Sequence, residues 1–265
     1  MKNTFKYGSY ALSTMLLIAP SAYAIELSLK PHKAIYTISL QSVDSGSAIS
    51  DIKGKMVIEL RQDCQGWALI QDAANVMELK NAPADLMRSR YVAWESHDGK
   101  MFKFSSERVF NERVADKVDG TAGFGANGGL ITYINPEKRQ VAIEKGTLPG
   151  ISHMQNLITQ AKNGKAHASE IVFDGSFFGN PVQINTFIGN EKKSCANAAK
   201  AQSAWPMSLA VYALPSTGSN PNFEITQTLA DNGVMCSYTI NFGDYIVKGE
   251  LERVEFIPQK RCAKK

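Results

Sequence analysis

The chain has 265 residues, 44% of them hydrophobic, and a formal net charge of +4. Lys2 and Lys6 supply two of those charges at the very start, so the remainder is close to neutral. A balance that small argues against nucleic acid as a partner, while leaving room for a local basic face towards anionic lipid.

The first residues read as a secretory signal. Lys2 and Lys6 form a positive head, Ala11–Ala19 is a short apolar core, Pro20 breaks it, and Ala22-Tyr23-Ala24 has the small-x-small form of a cleavage site. Cleavage is expected after Ala24, which leaves residues 25–265 as a single exported domain. The apolar run is shorter than the roughly 20 residues needed to cross a bilayer. No cysteine stands at the cut to carry a lipid, and no later stretch is long and apolar enough to cross. The mature protein is expected to be soluble and to work in an oxidising envelope compartment.

Short alternating runs dominate the rest of the chain. Ala34–Leu40 reads as a strand, and Met56–Leu60 and Trp67–Gln71 flank the turn-like Gln62–Gly66 as a hairpin. Tyr91–Trp94 and Met101–Phe104 flank Ser96-His97-Asp98-Gly99, where Asp-Gly is a strong hairpin signal. Further strands are expected at Leu130–Ile134, Val141–Glu144, Glu170–Phe173 and Val182–Ile188, then at Leu209–Leu214, Phe223–Leu229, Met235–Phe242 and Tyr245–Phe256. In the last of these, strict alternation would place Glu250, Glu252, Val254 and Phe256 on one face. Ile151–Lys162 is the clear amphipathic helix, with Ile151, Met154, Leu157, Ile158 and Ala161 on one face and Asn163-Gly164 as its stop. A weaker second helix is expected over Ser194–Ser203. Consecutive strands with tight turns imply antiparallel pairing. The expected class is mainly β, a barrel, sandwich or curled open sheet, with the one helix as plug or lid.

Four cysteines, Cys64, Cys195, Cys236 and Cys262, favour disulfides in an exported chain. Three pairings are open; Cys64–Cys262 with Cys195–Cys236 is preferred, since it ties an early hairpin to the C-terminal end. No Cys-x-x-Cys occurs, which argues against a zinc site or a thioredoxin-like redox motif.

No motif carries catalysis or a cofactor. Gly123-Phe124-Gly125-Ala126-Asn127-Gly128 has the GxGxxG form, but charged residues precede it and a β-run comes after it, where a dinucleotide loop needs a strand before and a helix after. It reads as a flexible loop between strands. His32, His97, His153 and His167 have no metal-site spacing. Asp174-Gly175-Ser176-Phe177-Phe178-Gly179 misses the GxSxG register and reads as a turn. The aromatic and Met content (Phe102, Phe104, Phe110, Phe124, Phe177, Phe178, Trp205, Met207) reads as core, or as the lining of an apolar cavity that could take an acyl chain.

Several segments, taken in order, resemble the EipB (envelope integrity protein B) family of periplasmic proteins. They run from His32-Lys33-Ala34-Ile35-Tyr36 through Gly54–Glu59, Cys64-Gln65-Gly66-Trp67, Gly146-Thr147-Leu148, Ala161–Lys165, Phe173-Asp174-Gly175 and Trp205-Pro206. They end with Asp231-Asn232-Gly233-Val234 and Gly243–Leu251. The resemblance implies a β-spiral, an antiparallel sheet curled around a helix, and a bridge between Cys64 and Cys262. It implies a periplasmic location and a role in envelope integrity without enzymatic activity, and no catalytic residues carry over; no cofactor or metal is expected. Cys195 and Cys236 are additional to the family's usual pair, so their pairing stays open. The expected function is non-enzymatic, through a lipid-like ligand or an envelope protein partner. The alternatives are a scaffold acting by protein contact, and a hydrolase of envelope polymers in which His153 meets an Asp or Glu of the sheet.

Overall fold

A computed structural model describes residues 29–193, 195, 201–215, 218–259 and 262. Eight strands follow one another through hairpins: β1 (His32–Val43), β2 (Ile49–Gln62), β3 (Gly66–Leu79), β4 (Asp85–Ser96), β5 (Met101–Phe110), β6 (Arg113–Gly125), β7 (Gly128–Asn135) and β8 (Arg139–Ile143). The short β9 (Leu148–Pro149) leads into α1 (Gly150–Lys162). After it come β10 (His167–Phe173), β11 (Val182–Ile188), β12 (Lys192–Lys193), β13 (Ser203–Ala213), β14 (Phe223–Ala230), β15 (Met235–Asn241) and β16 (Tyr245–Phe256).

Among the described residues these strands form one sheet with β1 paired to β16 near its middle and with β8 and β9 at its unpaired ends. The ladders are antiparallel except β9 on β10, and β12 pairs beside the path on β13. Among the described residues the chain is therefore mainly β, one large unclosed antiparallel sheet with a single helix. The successive hairpins put the turns at residues 62–66, 96–101, 125–128 and 230–235 at one end of the shell. Those at 43–49, 79–85, 110–113 and 241–245 lie at the other.

The curl is held from inside. Leu157, Ile158, Ile151 and Ala161 of α1 pack with Leu60 and Trp67 of one arm and with Trp205, Met207 and Leu229 of the other. The helix thereby plugs the end where the 62–66 and 230–235 turns lie. A second cluster joins Phe102, Phe104, Val118, Ile131 and Tyr133 of the β5–β7 region to Phe173. The Phe104 and Phe173 rings stand edge to face at 5.2 Å, within the favourable range for aromatic pairs. The segment after β10 is bolted across the gap, as the Tyr133 hydroxyl donates to Gly179 O at 2.6 Å and the Tyr91 hydroxyl donates to Asp174 O. On the outer face cross-strand ion pairs such as Lys55–Glu252, Arg90–Asp72 and Lys117–Glu107 make a surface suited to water rather than to lipid tails.

Three details depart from the sequence reading. The Gly-rich motif joins two strands as expected, but most of it is strand and not loop, and the charged stretch before it from Arg113 is strand as well. They form β6 and a tight hairpin, in which Gly125 pairs with Gly128 and Ala126-Asn127 make the turn. In β16, Ile35 pairs with Arg253 but Tyr36 pairs with Leu251, so Glu252 is a bulge. The extra residue flips the alternation: Leu251, Val254 and Phe256 join the buried clusters, while Glu250, Glu252, Arg253 and Glu255 are exposed. Of the expected second helix, residues 194 and 196–200 lie outside the described residues, and Ser203 opens β13. Trp205 and Pro206 continue that strand; the Pro206 ring, which has no N–H to donate, faces the break between β11 and β12.

A candidate ligand cavity in the shell

Strand alternation sends one residue in two into the lumen. Ile38 of β1, Met56 of β2, Met77 of β3, Met87 of β4, Tyr238 of β15 and Val247 of β16 meet around a cavity of about 320 Å³. Ile52, Met235 and Ile240 complete its apolar wall, and its polar members are the uncharged Gln71, Asn75, Ser89 and Gln227. Methionine is flexible and polarisable, so four of them in one wall give a surface that adapts to an apolar guest. The Tyr238 hydroxyl lies 3.7 Å from the Met56 sulfur, and burial pushes it up to about 12, so it stays neutral at any ordinary pH.

A second cavity of about 540 Å³ adjoins the first and shares Gln71, Met87, Ser89, Phe242 and Tyr245 with it. Its wall adds Phe102, Val172 and Ile184, the hydroxyls of Ser106 and Ser176, the charged Arg108 and Asp174, and Ile151 and His153 of α1. Both volumes fall within the roughly 300–1,000 Å³ of small-molecule sites. Phe177 and Phe242, about half exposed at 53% and 48%, stand at the rim away from the plugged end.

The helix is anchored from the sheet. Its first turn has no acidic residue and Pro149 offers no cap. Instead Glu95, the next-to-last residue of β4, accepts from Ile151 N at 2.8 Å, from Ser152 N at 2.9 Å and from the Ser152 hydroxyl. A carboxylate at a helix N-terminus satisfies orphan N–H groups and favours the dipole. Burial raises the Glu95 carboxyl above the usual carboxylate range, and the three hydrogen bonds pull against that shift.

Further along the helix His153 Nε2 lies 3.1 Å from Glu170 Oε2 of β10, with side chains only 9% and 11% exposed. The contact is close enough for an ion pair but falls outside hydrogen-bond geometry, leaving both atoms without a hydrogen-bond partner. Glu170 Oε1 accepts from Asn156 and from Gln160 Nε2 at 2.8 Å. His153, Asn156 and Gln160 follow the helical repeat, so the carboxylate grips one stripe of α1 over nearly two turns.

The other residues singled out in the sequence do not converge. His32 is buried and its Nδ1–H donates to Lys30 O at 2.7 Å. His97 contacts Asp63 O at 3.0 Å within the turns, and His167 sits on the outside against Phe187. Asp174 Oδ1 accepts from the backbone N and hydroxyl of Ser176 at 2.9 and 2.7 Å, which makes the 174–176 segment a turn. Cys64 bridges Cys262 and Cys195 bridges Cys236, with Cα separations of 5.5 and 5.6 Å. Among the described residues no group of three or more His, Cys, Asp or Glu could hold a metal, and no helix is long and apolar enough to cross a membrane. Sequence reasoning missed Glu95, whose partners lie over fifty residues away, and it missed the joining of the two cavities; neither leaves a local signal.

A curled, helix-plugged antiparallel shell with an apolar interior defines a β-barrel-like fold with an internal cavity. A solved β-barrel-like protein from Brucella abortus, described as a domain of unknown function, shares this fold. Its TM-score is 0.80 over 87% of this chain and 99% of that one, at 23% identity. The chain belongs to the EipB-like family, whose model matches residues 23–258. It is 26% identical over 247 residues to the cell envelope integrity protein EipB of Brucella abortus (strain 2308), covering 89% of this chain and 87% of that protein.

Proposed function

We propose that this is an exported, periplasmic protein that serves envelope integrity without catalysis, by holding a lipid-like ligand inside its shell. The observation that carries the reading is the methionine-lined cavity, which opens onto a second cavity walled by Ile151 and His153 of α1 and rimmed by the exposed Phe177 and Phe242. The relative's name supports the envelope role, and two disulfides support an oxidising compartment. Native mass spectrometry of the mature protein, purified from a periplasm without detergent, tests it. Extra mass that disappears on organic extraction is the expected result. A clean apo mass, together with a partner captured by cross-linking in the envelope, would move the function to a protein scaffold.

The buried His153–Glu170 pair beside the larger cavity favours one rival, a hydrolase with its acid and base on α1 and β10. The packing supports a positioning role instead, since Glu170 is engaged by Asn156 and Gln160 of the same helix. H153Q is therefore expected to leave envelope function intact; its loss in a fully folded variant would establish the rival.

A further inference from the structure

The apolar cavity carries a polar band that the fold itself does not use. Gln71, Ala73 and Asn75 project inward from β3 at every second residue, and Ser89 of β4 lies directly opposite Ala73. The small Ala73 thus floors a niche with an amide on either side and a hydroxyl across the ladder, the diagonal neighbours standing about 7–8 Å apart. Met56 of β2 pairs with Ala73 from the other side, and the Tyr238 hydroxyl lies 3.7 Å from its sulfur. Gln227 of β14 pairs with Tyr238 and faces the same space.

Among the described residues nothing exchanges a hydrogen bond with the side chains of Gln71, Ser89 or Gln227. Asn75 Oδ1 is buried without a partner, and the Tyr238 hydroxyl has only a thioether, a weak acceptor. Leucine or methionine at these positions would simply have continued the apolar wall. A saturated hydrocarbon guest would strip water from these groups and return nothing to them. Each amide brings two N–H donors and each hydroxyl one, so donors outnumber acceptors and the complement is an acceptor. No residue of this wall is charged, and an unpaired charge is far costlier in an apolar space than a neutral dipole, so the acceptor is neutral. A carbonyl flanked by methylenes meets both demands, with its oxygen at the band and its chain along the methionines.

Resting on the lipid-like reading of the shell, we propose that the ligand carries an acyl ester or amide whose carbonyl is held by Gln71, Ser89 and Gln227. Gln71 and Ser89 also line the larger cavity, so the band stands where the two spaces join.

The test uses the mature protein and displacement of an environment-sensitive apolar dye by probes of one chain length. These are a fatty-acid methyl ester, the matching N-methyl amide, and an alkyl methyl ether that lacks the carbonyl. Each variant is compared with wild type probe by probe, so the probes' own solubilities cancel. Q71L and Q227L keep side-chain bulk and remove the hydrogen-bonding groups; S89A is a further variant should either fail to fold. Each is expected to weaken the ester and the amide about fivefold, the loss of one neutral hydrogen bond, and to leave the ether unchanged or tighter. The infrared stretch of an isotope-labelled ester carbonyl is expected at a hydrogen-bonded frequency in wild type and nearer its value in alkane in Q71L. An alkane-like frequency in wild type, or variants that treat ester and ether alike, overturns the carbonyl assignment while the lipid-like reading stands. Failure of the dye and of every probe to bind sinks both.

Discussion

At the level of single residues, the smallest side chains set the largest contacts. Gly120 of β6 lies opposite Phe104 of β5, and a Cβ there would meet the Phe104 ring at 2.6 Å. Ala122 likewise faces Phe102. Gly and Ala weaken a strand by propensity, which is why β6 does not read as one, but here they leave the room that two buried phenylalanines fill. Gly175 is under a double constraint. Its φ is +71°, and a Cβ would stand 2.3 Å from the Phe104 ring. G175A is expected to destabilise the protein by about 1–3 kcal/mol by overpacking and backbone strain. Urea unfolding measures it, and a change below a few tenths would mean that the loop does not bolt the two arms together.

Among the elements, α1 shows how far local signals reach. The i, i+3, i+7 pattern of Ile151, Met154 and Ile158 marks the helix and its apolar face, and the observed span begins one residue earlier, at Gly150. Its N-terminal partner is invisible to that pattern, because Glu95 lies in another strand. E95A leaves two helix N–H groups without their acceptor and is expected to cost about 1–3 kcal/mol. E95Q keeps an acceptor and isolates the charge. Because burial raises the folded-state pKa of Glu95, the folded protein holds a proton that the unfolded chain has released as pH climbs above 4.5. Glu95 therefore contributes a stability that falls as pH rises through that window, and E95Q should remove this slope. His32 has the opposite sign: burial lowers its pKa, so its contribution is lost as pH falls below 6.5. Thermal melts of wild type and E95Q across pH 4–8 give the difference, and parallel curves would refute the assignment.

For the molecule as a whole, closure depends on contacts between ends of the sequence. β1 pairs with β16, and Cys64 with Cys262 spans 198 residues. A loop that long contributes about 5 kcal/mol in the chain-entropy model, with 2–4 kcal/mol typical of measured bridges. The double variant C64S/C262S is expected to lose at least about 2 kcal/mol, read by urea unfolding. Non-reducing peptide mapping should recover Cys64–Cys262 and Cys195–Cys236 peptides, and a linked Cys64–Cys195 peptide would overturn the pairing.

Alternation, turn chemistry and helical period are properties of neighbours along the chain. For that reason the sequence by itself determined the β class, the hairpins around Asp98-Gly99 and Asp231-Asn232-Gly233, the helix α1 and the family. The tertiary structure alone decided that Glu252 bulges and reverses the inside of β16, that Glu95 caps α1, and that His153 meets Glu170. It alone decided, too, that methionines from β2, β3, β4 and β15 enclose a common space. The physical reason is the same each time: a bulge, a distant cap and a cavity depend on which strand lies beside or across from which, and pairing over separations of fifty to two hundred residues leaves no periodic trace.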